Sequence, residues 1–315
     1  MHKECHIALG YDYVFRRLEI VLNREHWTVS RHGRPWTLPG PRRVPPHIDI
    51  LKPSAARVYD AILGGKDNFP WDRAVAAQVM AAFPQAATSA TLHRQVLERA
   101  VRYLHARGVD QFLDLGSGLP TARNTHEIAQ ELNPGALVAY VDNDPIVLTH
   151  ARAQLAGDAA TTVVTADIRH PDTIVGNPAI TGFLDFSRPI GLVLNGIVHH
   201  LNDDEDPYRV VTKLTSALAP GSYLQLTHFS TAGPAAAALE RVLMKGIGSG
   251  RMRSREEITA FFDGLELVDP GIVFLPEWRP DGPVDYPLDI GGQLILAGMA
   301  RKPLKRSAAP PKDSA

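Results

Sequence analysis

Five short apolar runs alternate with segments of helical length between residues 111 and 227, and few folds accommodate that order. Apolar runs of this length, bounded by turn residues, are typical of strands buried on both faces. Strand–helix–strand units close with right-handed crossovers, which produces a parallel sheet with helices on both faces. The five predicted strands are residues 111–115, 137–141, 162–166, 190–194 and 223–227.

Two further apolar runs, residues 271–275 and 293–298, are separated by a turn-rich stretch without a helix. They predict an antiparallel pair at the end of the sheet. The fold class is therefore α/β, with a seven-stranded, mostly parallel sheet whose last strand is antiparallel. The predicted helices of this part are residues 122–132, 146–155, 171–186, 208–218, 234–244 and 255–262.

The chain before the sheet changes in composition near residue 47. The first part combines a helical pattern over residues 11–26 with a Pro- and Arg-rich stretch that predicts a linker from residue 31 to residue 46. The second part carries three helical patterns, about residues 55–63, 72–82 and 91–107, the first with Ser54 as its N-cap. We therefore predict a flexible extension over 1–47, a helical segment over 48–108, the sheet domain over 109–302 and a disordered tail over 303–315.

Charge and cysteine content exclude several classes of protein. Lys and Arg number 33 against 34 Asp and Glu, a formal net charge of −1, so no overall positive field attracts nucleic acid or anionic lipid. The single cysteine, Cys5, excludes an intramolecular disulfide and a multi-cysteine metal site, which fits a reducing compartment. No apolar run approaches the roughly 18 residues of a membrane span. These features predict a cytoplasmic protein without membrane association.

The segment 112–121 runs from an apolar strand through a glycine-containing turn into a helix. Without a Cβ, Gly116 and Gly118 let the backbone turn sharply and approach a ligand, whose polar groups meet free N–H groups at the helix N-terminus. A dinucleotide fingerprint needs a third glycine where this chain has Thr121. Asp114 repels a pyrophosphate but attracts the ammonium of an amino-acid-bearing cofactor. The pattern therefore favours S-adenosylmethionine over NAD.

The next two strands also end in carboxylates. Asp142 follows the second strand, 24 residues after Gly118, and such a carboxylate accepts hydrogen bonds from both ribose hydroxyls. Asp167 follows the third strand beside Ile168, a pair suited to an adenine amine and an apolar ring face. Three acidic strand ends in succession are far more specific than any one of them.

These strand ends resemble those of class I S-adenosylmethionine-dependent methyltransferases, which have a Rossmann-like fold. The chain also resembles one bacterial family, formerly a domain of unknown function and now called the S-adenosyl methyltransferase family. The resemblance extends over residues 47–301. Its matching stretches are residues 57–60, 63–69, 113–121, 140–145 and 218–223.

The resemblance implies S-adenosyl-L-methionine as the cofactor and names a set of residues that bind it. Asp114 is implied to hold the methionine end, Asp142 the ribose and Asp167 the adenine. Segment 64–69 is expected to fold over the cofactor as part of a lid. The implied cofactor-binding residues are Asp114, Gly116, Ser117, Gly118, Asp142, Asn143, Asp167, Ile168 and Asn195.

The fourth strand ends beside the expected cofactor crevice, at Asn195, and is followed by His199 and His200. A histidine titrates near neutral pH, so one of the two is a candidate catalytic base for a hydroxyl or amine acceptor. The alternative is that both only orient the loop through hydrogen bonds. The acidic run 203–206 comes next, and capping of the helix that starts near Pro207 explains it better than a metal site. No metal is expected.

The chain lacks the Asn/Asp-Pro-Pro-aromatic motif that many nucleic-acid and protein amide methyltransferases carry after the fourth strand. The acceptor is therefore expected to be a small molecule, with Arg251, Arg253 and Trp278 as candidate neighbours of its pocket. Two alternatives stay open. One is a regulatory protein that binds the cofactor without turnover, and the other is an NAD-dependent oxidoreductase.

Overall fold

The computed structural model describes residues 49–119, 123–155, 158–233 and 235–304, together with three short strands near the N-terminus. Residues 1–48 and 49–315 form two separate units. The three strands of the first unit pair in sequence order as an antiparallel sheet. They are β1 (Glu19–Asn23), β2 (His26–Arg31) and β3 (Arg34–Thr37).

The first unit corrects the helix expected over residues 11–26. That prediction is wrong for Glu19–Asn23, which forms β1 and pairs Ile20 with Val29 of β2. The apolar spacing of this stretch fits both a helix and a strand, and its β-branched residues favour the strand. The remainder of the predicted helix, apart from the start of β2, lies outside the described residues, as does Cys5.

The linker expected from residue 31 to residue 46 is also wrong in part. Arg31 ends β2, and Arg34–Thr37 forms β3, although Pro35 lies within it. Proline is tolerated there because β3 is an edge strand and needs no backbone donor on its outer side. The rest of the linker and the tail beyond residue 304 lie outside the described residues.

The second unit is built on an eight-stranded sheet. Its strands are β4 (Gln111–Leu115), β5 (Leu137–Asp142), β6 (Thr161–Thr165), β7 (Gly191–Asn195), β8 (Tyr223–Phe229), β9 (Glu266–Leu267), β10 (Val273–Phe274) and β11 (Ile295–Arg301). They lie in the order β10-β11-β8-β7-β4-β5-β6, with β9 also paired to β11. Strands β4 to β8 are parallel, and β11 is antiparallel to β8, β9 and β10.

All seven predicted strands are present, and the mostly parallel sheet with an antiparallel last strand is confirmed. The eighth strand, β9, consists of two exposed residues, so it has no apolar run by which the sequence could reveal it. Alternate side chains enter separate cores on the two faces of the sheet. Leu113 and Leu192 belong to one core, whereas Phe112 and Val193 belong to the other.

Ten helices accompany the strands in the described residues. They are α1 (Ala55–Ile62), α2 (Pro70–Ala82), α3 (Ala86–His105), α4 (Thr125–Leu132), α5 (Pro145–Gln154), α6 (Pro171–Val175), α7 (Pro178–Thr181), α8 (Pro207–Ala217), α9 (Ala236–Ile247) and α10 (Arg255–Ala260). The long helix predicted over residues 171–186 is two short ones, because Gly176 ends α6 and Asn177 caps α7. In this described part of the chain, no helix combines the length and apolar character that crossing a bilayer requires.

Buried polar contacts fix the helices α1 and α2 that precede the sheet. The Asp72 carboxylate is fully buried and accepts hydrogen bonds from the backbone N–H groups of Ser54 at 3.1 Å and Phe69 at 2.8 Å. It also pairs with the buried guanidinium of Arg57, whose Nε lies 3.1 Å from Oδ2. Asp72 therefore fixes the start of both helices at once.

A second contact joins α1 to the sheet. The Ser54 hydroxyl donates a 2.5 Å hydrogen bond to Asp144, and Arg57 Nη1 lies 3.7 Å from the same carboxylate. Asp144 is the N-cap of α5, where it accepts from the backbone N–H of Ile146. The start of α1 is thus attached directly to the turn that follows β5.

We expect Asp72→Asn to lower the free energy of unfolding by about 3 kcal/mol, because it removes the closer of the two carboxylates that pair with the buried Arg57 guanidinium. Urea denaturation measures the effect. The matched control is Asp172→Asn, which breaks an exposed ion pair with Lys213 and should cost less than about 1 kcal/mol. Equal losses in the two variants would contradict a structural role for the buried pair.

Candidate functional site

A large, mainly apolar cavity opens along the carboxyl edge of the parallel strands and is walled by helices α1, α2, α3 and α9. Its floor comes from the ends of β4, β5, β7 and β8 and from the start of the antiparallel β11. Neighbouring strands lie about 4.8 Å apart, so the four spacings from β5 to β11 extend roughly 19 Å. The cavity is therefore long enough to have two chemically different ends.

The backbone of the turn after β4 has a conformation that lets a ligand approach it closely. Gly116 and Gly118 have φ angles of 73° and 66°, in the left-handed region that favours glycine. A Cβ at Gly116 would lie 2.5 Å from the Ile197 side chain, whereas nothing lies within 4 Å of a Cβ at Gly118. Gly116 is required for packing, and Gly118 leaves open space beside the cavity.

Asp114 is a buried carboxylate at this end of the cavity and is 6% exposed. One oxygen accepts a 2.6 Å hydrogen bond from the Thr125 hydroxyl. Burial raises the pKa of Asp114 to about 6, against the lowering effects of that hydrogen bond and of the Arg94 charge. Because burial opposes ionisation, a ligand ammonium placed beside Asp114 is stabilised more than it would be by an exposed carboxylate.

Asp142 forms the end of β5 and is also buried, which raises its pKa to about 6. Its two oxygens accept hydrogen bonds from the backbone N–H groups of Gly118 and Asp144, both at 2.9 Å. These bonds hold the carboxylate beside the glycine turn and leave lone pairs for the hydroxyls of a ribose. Ser117 and Asn143 also line the cavity.

The third predicted carboxylate is not brought to the cavity. Asp167 and Ile168 follow β6, but neither is among the lining residues. Asp167 is paired with Arg169, whose Nε lies 2.9 Å from Oδ1, and accepts a 3.3 Å hydrogen bond from Asn143. Asn143 therefore separates Asp167 from the cavity, and the contact of Asp167 and Ile168 with an adenine stays a prediction.

Asn195 ends β7 and belongs to a hydrogen-bond chain in the middle of the cavity. Its Oδ1 accepts from Gln225 Nε2 at 3.1 Å and from Thr227 Oγ1 at 3.4 Å. Thr227 Oγ1 lies 2.6 Å from His93 Nε2. Because the Thr227 hydroxyl donates its proton to Asn195, it accepts a hydrogen bond from His93, whose ring proton is therefore assigned to Nε2. Burial lowers the pKa of His93 to about 3, so this ring is neutral.

His199 and His200 lie in a short 3₁₀ turn after β7, and both line the cavity. His200 Nδ1 lies 3.0 Å from Ser249 Oγ, whereas His199 Nδ1 is buried without a hydrogen-bond partner among the described residues. The His199 ring instead packs on Phe229, with ring centroids 4.2 Å apart. Burial lowers the pKa of both rings, that of His200 to about 4, so both are neutral.

The acidic run after these histidines serves the protein's own structure. Asp206 caps α8 by accepting from the backbone N–H of Arg209, which confirms the capping prediction. Asp203 pairs with Arg251 at 2.9 Å and with Arg253 at 2.7 Å, and neither arginine lines the cavity. Nowhere in the described part of the chain do three or more His, Cys, Asp or Glu side chains form a group able to hold a metal ion.

Helix α3 contributes site residues that sequence reasoning missed. Ser89, His93 and Arg94 line the cavity, although the sequence pattern predicts this helix only from about residue 91. A sequence signal for these residues did exist: Ser89 and His93 are four residues apart and are therefore polar residues on the same, otherwise apolar, face of the helix. Trp278, a candidate neighbour of the acceptor, is instead 1% exposed within the hydrophobic core.

Segment 64–69 shapes the turn between α1 and α2 and is not among the cavity-lining residues. Asp60 accepts hydrogen bonds from the Asp67 backbone at 3.0 Å and from Asn68 Nδ2 at 2.7 Å. A Cβ at Gly65 would lie 2.0 Å from the Asp60 carboxylate. The part of the helical segment that reaches the cavity comes from α1, α2 and α3.

The parallel sheet places two buried carboxylates at the ends of its neighbouring strands β4 and β5, beside a glycine turn, an arrangement that suits an S-adenosylmethionine-dependent methyltransferase. Residues 41–303 match the family described as S-adenosyl methyltransferase, and the chain belongs to that family. Its cofactor is S-adenosylmethionine. The carboxylate of Asp114 is buried and the protein stabilises its charge only in part, so it suits the ammonium group of this cofactor.

Two proteins of known structure are similar to the chain over most of its length. A "putative methyltransferase" from Thermobifida fusca YX shares 50% identity, covers 84% of this chain and 100% of its own, and has a TM-score of 0.80. A DUF574 family protein from Streptomyces avermitilis MA-4680 shares 36% identity, covers 82% and 100%, and has a TM-score of 0.77. A search of curated proteins found no match.

Because Asp114 has a pKa of about 6, we expect the affinity for S-adenosylmethionine to fall in acid. Only the ionised carboxylate attracts the ammonium, so lowering the pH from about 7 to about 5 should raise the Kd by about tenfold. Calorimetric titration at the two pH values measures this. Asp114→Asn should weaken binding at pH 7 and reduce the pH dependence to the part that Asp142, whose pKa is also about 6, contributes, whereas the exposed control Asp172→Asn should keep both the affinity and the full pH dependence. An unchanged pH dependence in Asp114→Asn would refute the assignment.

Proposed function

We propose that this enzyme transfers the methyl group of S-adenosylmethionine to a small-molecule acceptor in the cavity, in a bacterial cytoplasm. The observation that carries the acceptor proposal is the division of one cavity between a charged end at β4 and β5 and an apolar end at β8 and β11. The first suits a polar cofactor. The second is enclosed by helices, which favours a small molecule over a polymer.

The bound cofactor supplies an activated methyl group, which passes to the acceptor atom by in-line displacement as the carbon–sulfur bond breaks and its electron pair stays on sulfur. The acceptor loses one proton. The contribution of the protein is to hold the two reactants in line and to exclude water. We assign the methionine end to Asp114 and the ribose to Asp142, with Gly116, Ser117, Gly118 and Asn143 around them.

We also propose that α1, α2 and α3 act as a lid. They line the cavity from the side opposite the strand ends. Two hydrogen bonds, Ser54 to Asp144 and His93 to Thr227, attach this helical segment to the turn after β5 and to β8. A lid attached at both ends of the cavity shields the reacting atoms from water.

Of the two neighbouring histidines, we assign the contact with the acceptor to His199. Its Nδ1 is the unsatisfied nitrogen, whereas His200 bonds to Ser249. A neutral imidazole accepts a hydrogen bond from an acceptor O–H or N–H group. Because burial lowers the pKa of His199, the ring orients and polarises that group, and the proton itself finally leaves to solvent.

The proposal is tested with methyl-labelled S-adenosylmethionine and a bacterial metabolite extract. We expect label in the low-molecular-weight fraction with the wild-type enzyme and with Asp172→Asn, and far less with Asp142→Asn, because the amide has only one acceptor oxygen and no charge for the ribose hydroxyls. Label only in protein or nucleic acid would refute the small-molecule acceptor. Cofactor binding without any labelled product from extracts of several bacteria would favour the regulatory alternative.

The assignment of His199 is tested with the labelled product as the readout. His199→Ala should lower kcat at least tenfold and leave the Kd of S-adenosylhomocysteine unchanged, because the ring is assigned to the acceptor. His200→Ala should have a smaller effect on kcat. Equal losses in the two variants, or a weaker Kd in His199→Ala alone, would contradict the assignment.

A further inference from the structure

The end of the cavity beside β8 and β11 is a chamber with an apolar wall, called here the acceptor chamber. Its apolar wall consists of Val79, Phe83, Ala86, Leu97, Phe229, Leu239, Leu243, Ile247 and Ile295. These residues come from α2, α3, β8, α9 and β11, and they belong to or pack against one hydrophobic core. A ligand in the chamber is thus surrounded by hydrocarbon, which stabilises apolar groups and strongly disfavours an unpaired charge.

The charges of the cavity lie elsewhere. The charged residues among those that line it are Arg94, Asp114, Asp142 and Asp144. The three carboxylates belong to β4, β5 and the turn after β5, and Arg94 on α3 hydrogen-bonds Tyr59 and acts on both Asp114 and His93. The two histidines nearest the chamber, His93 and His199, are neutral. The apolar wall of the chamber itself, as far as the described residues form it, therefore supplies no counter-ion to a charged acceptor.

Two polar atoms interrupt the apolar wall, and both lack a hydrogen-bond partner within the described part of the chain. They are Ser89 Oγ and His199 Nδ1. Both residues line the cavity and are more than nine-tenths buried, at 3% and 6% exposed. Buried polar atoms in proteins are almost always hydrogen-bonded, so two such atoms in one cavity point to a ligand that satisfies them.

Their positions place both atoms on the acceptor side. Ser89 lies one helical turn before His93 on α3, and His93 bonds to Thr227 of β8. His199 follows β7 and packs on Phe229 of β8. The cofactor-binding carboxylates lie on β4 and β5, on the far side of β7 from β8.

We infer that the acceptor is an uncharged, predominantly apolar small molecule carrying a hydroxyl group, an alcohol or a phenol, that Ser89 and His199 bind. This inference rests on the proposed function, because it takes the chamber to be the acceptor site. A hydroxyl both donates and accepts, so it satisfies the Ser89 hydroxyl and the His199 nitrogen together. A carboxylate or an ammonium carries a charge that the chamber does not pair.

The test uses protein saturated with S-adenosylhomocysteine and three matched probes: 2-naphthol, naphthalene and 2-naphthoate. Saturation is confirmed first by calorimetry, and failure at this step counts against the proposed function rather than against the inference. With the cofactor product bound, we expect 2-naphthol to bind most tightly, as measured by equilibrium dialysis. We expect 2-naphthoate to bind at least tenfold more weakly, because its charge loses hydration without gaining a partner.

Variants then distinguish binding at this site from nonspecific hydrophobic binding. Ser89→Ala should weaken 2-naphthol by roughly three- to tenfold, the range for one hydrogen bond, and leave naphthalene and S-adenosylhomocysteine unchanged. The matched control is Ser216→Ala on the exposed face of α8, which should change nothing.

Three results would overturn the inference while cofactor binding stays intact. They are binding of 2-naphthoate as tight as that of 2-naphthol, equal weakening of 2-naphthol and naphthalene in Ser89→Ala, and absence of 2-naphthol binding up to its solubility. The ring-preserving variant His199→Phe supplies a second measurement. It should weaken 2-naphthol but not naphthalene, and equal effects on both would also contradict the inference.

Discussion

Burial of carboxylates at two neighbouring strand ends is the constraint around which this molecule is arranged. Asp114 and Asp142 lie inside the protein, where desolvation opposes their ionisation and raises both pKa values. Thr125 and the backbone N–H groups of Gly118 and Asp144 offset part of that cost. A ligand that brings an ammonium and ribose hydroxyls offsets more of it, so the protein alone stabilises these carboxylates only in part and the cofactor completes their stabilisation.

Buried charges also hold the helical segment in place. Asp72 fixes α1 and α2 through Arg57, and Arg57 also approaches Asp144 beside the ribose-binding turn. One buried network thus connects the cover of the cavity with its cofactor end. The pair of Arg57 with Asp72 lies within the segment, whereas the contact of Arg57 with Asp144 forms only when the segment packs against the sheet. Closure of the site and stability of the segment therefore depend on the same contacts.

The features that could be predicted from the sequence are those that short stretches of residues determine. Buried runs located seven strands, and the glycine turn with Asp114 and Asp142 located the cofactor end of the cavity. It could not predict the contact between Ser54 and Asp144, because 90 residues separate them and each also reads as an ordinary helix cap. The lining role of Ser89 was missed because the predicted helix began near residue 91, so the polar pair Ser89 and His93 on one face of α3 did not stand out.

Errors near the N-terminus had a different cause. Around Ile20 the apolar residues are consecutive, so their spacing fits two secondary structures, and only pairing with β2 selects the strand. Asp167 is a separate case, because its contact with adenine stays a prediction. Its position at a strand end did not reveal that Arg169 pairs with its carboxylate.

Two of the hydrogen bonds that attach the helical segment to the rest of the unit bear on the timing of ligand exchange. The Ser54 contact with Asp144 lies at the cofactor end of the cavity, and the His93 contact with Thr227 lies at the acceptor end. If the segment opens at one end only, one of these hydrogen bonds breaks and the other stays in place. A methylated product can then depart while the spent cofactor is still held, and the dwell times of the two molecules can be set by separate local events rather than by one global opening.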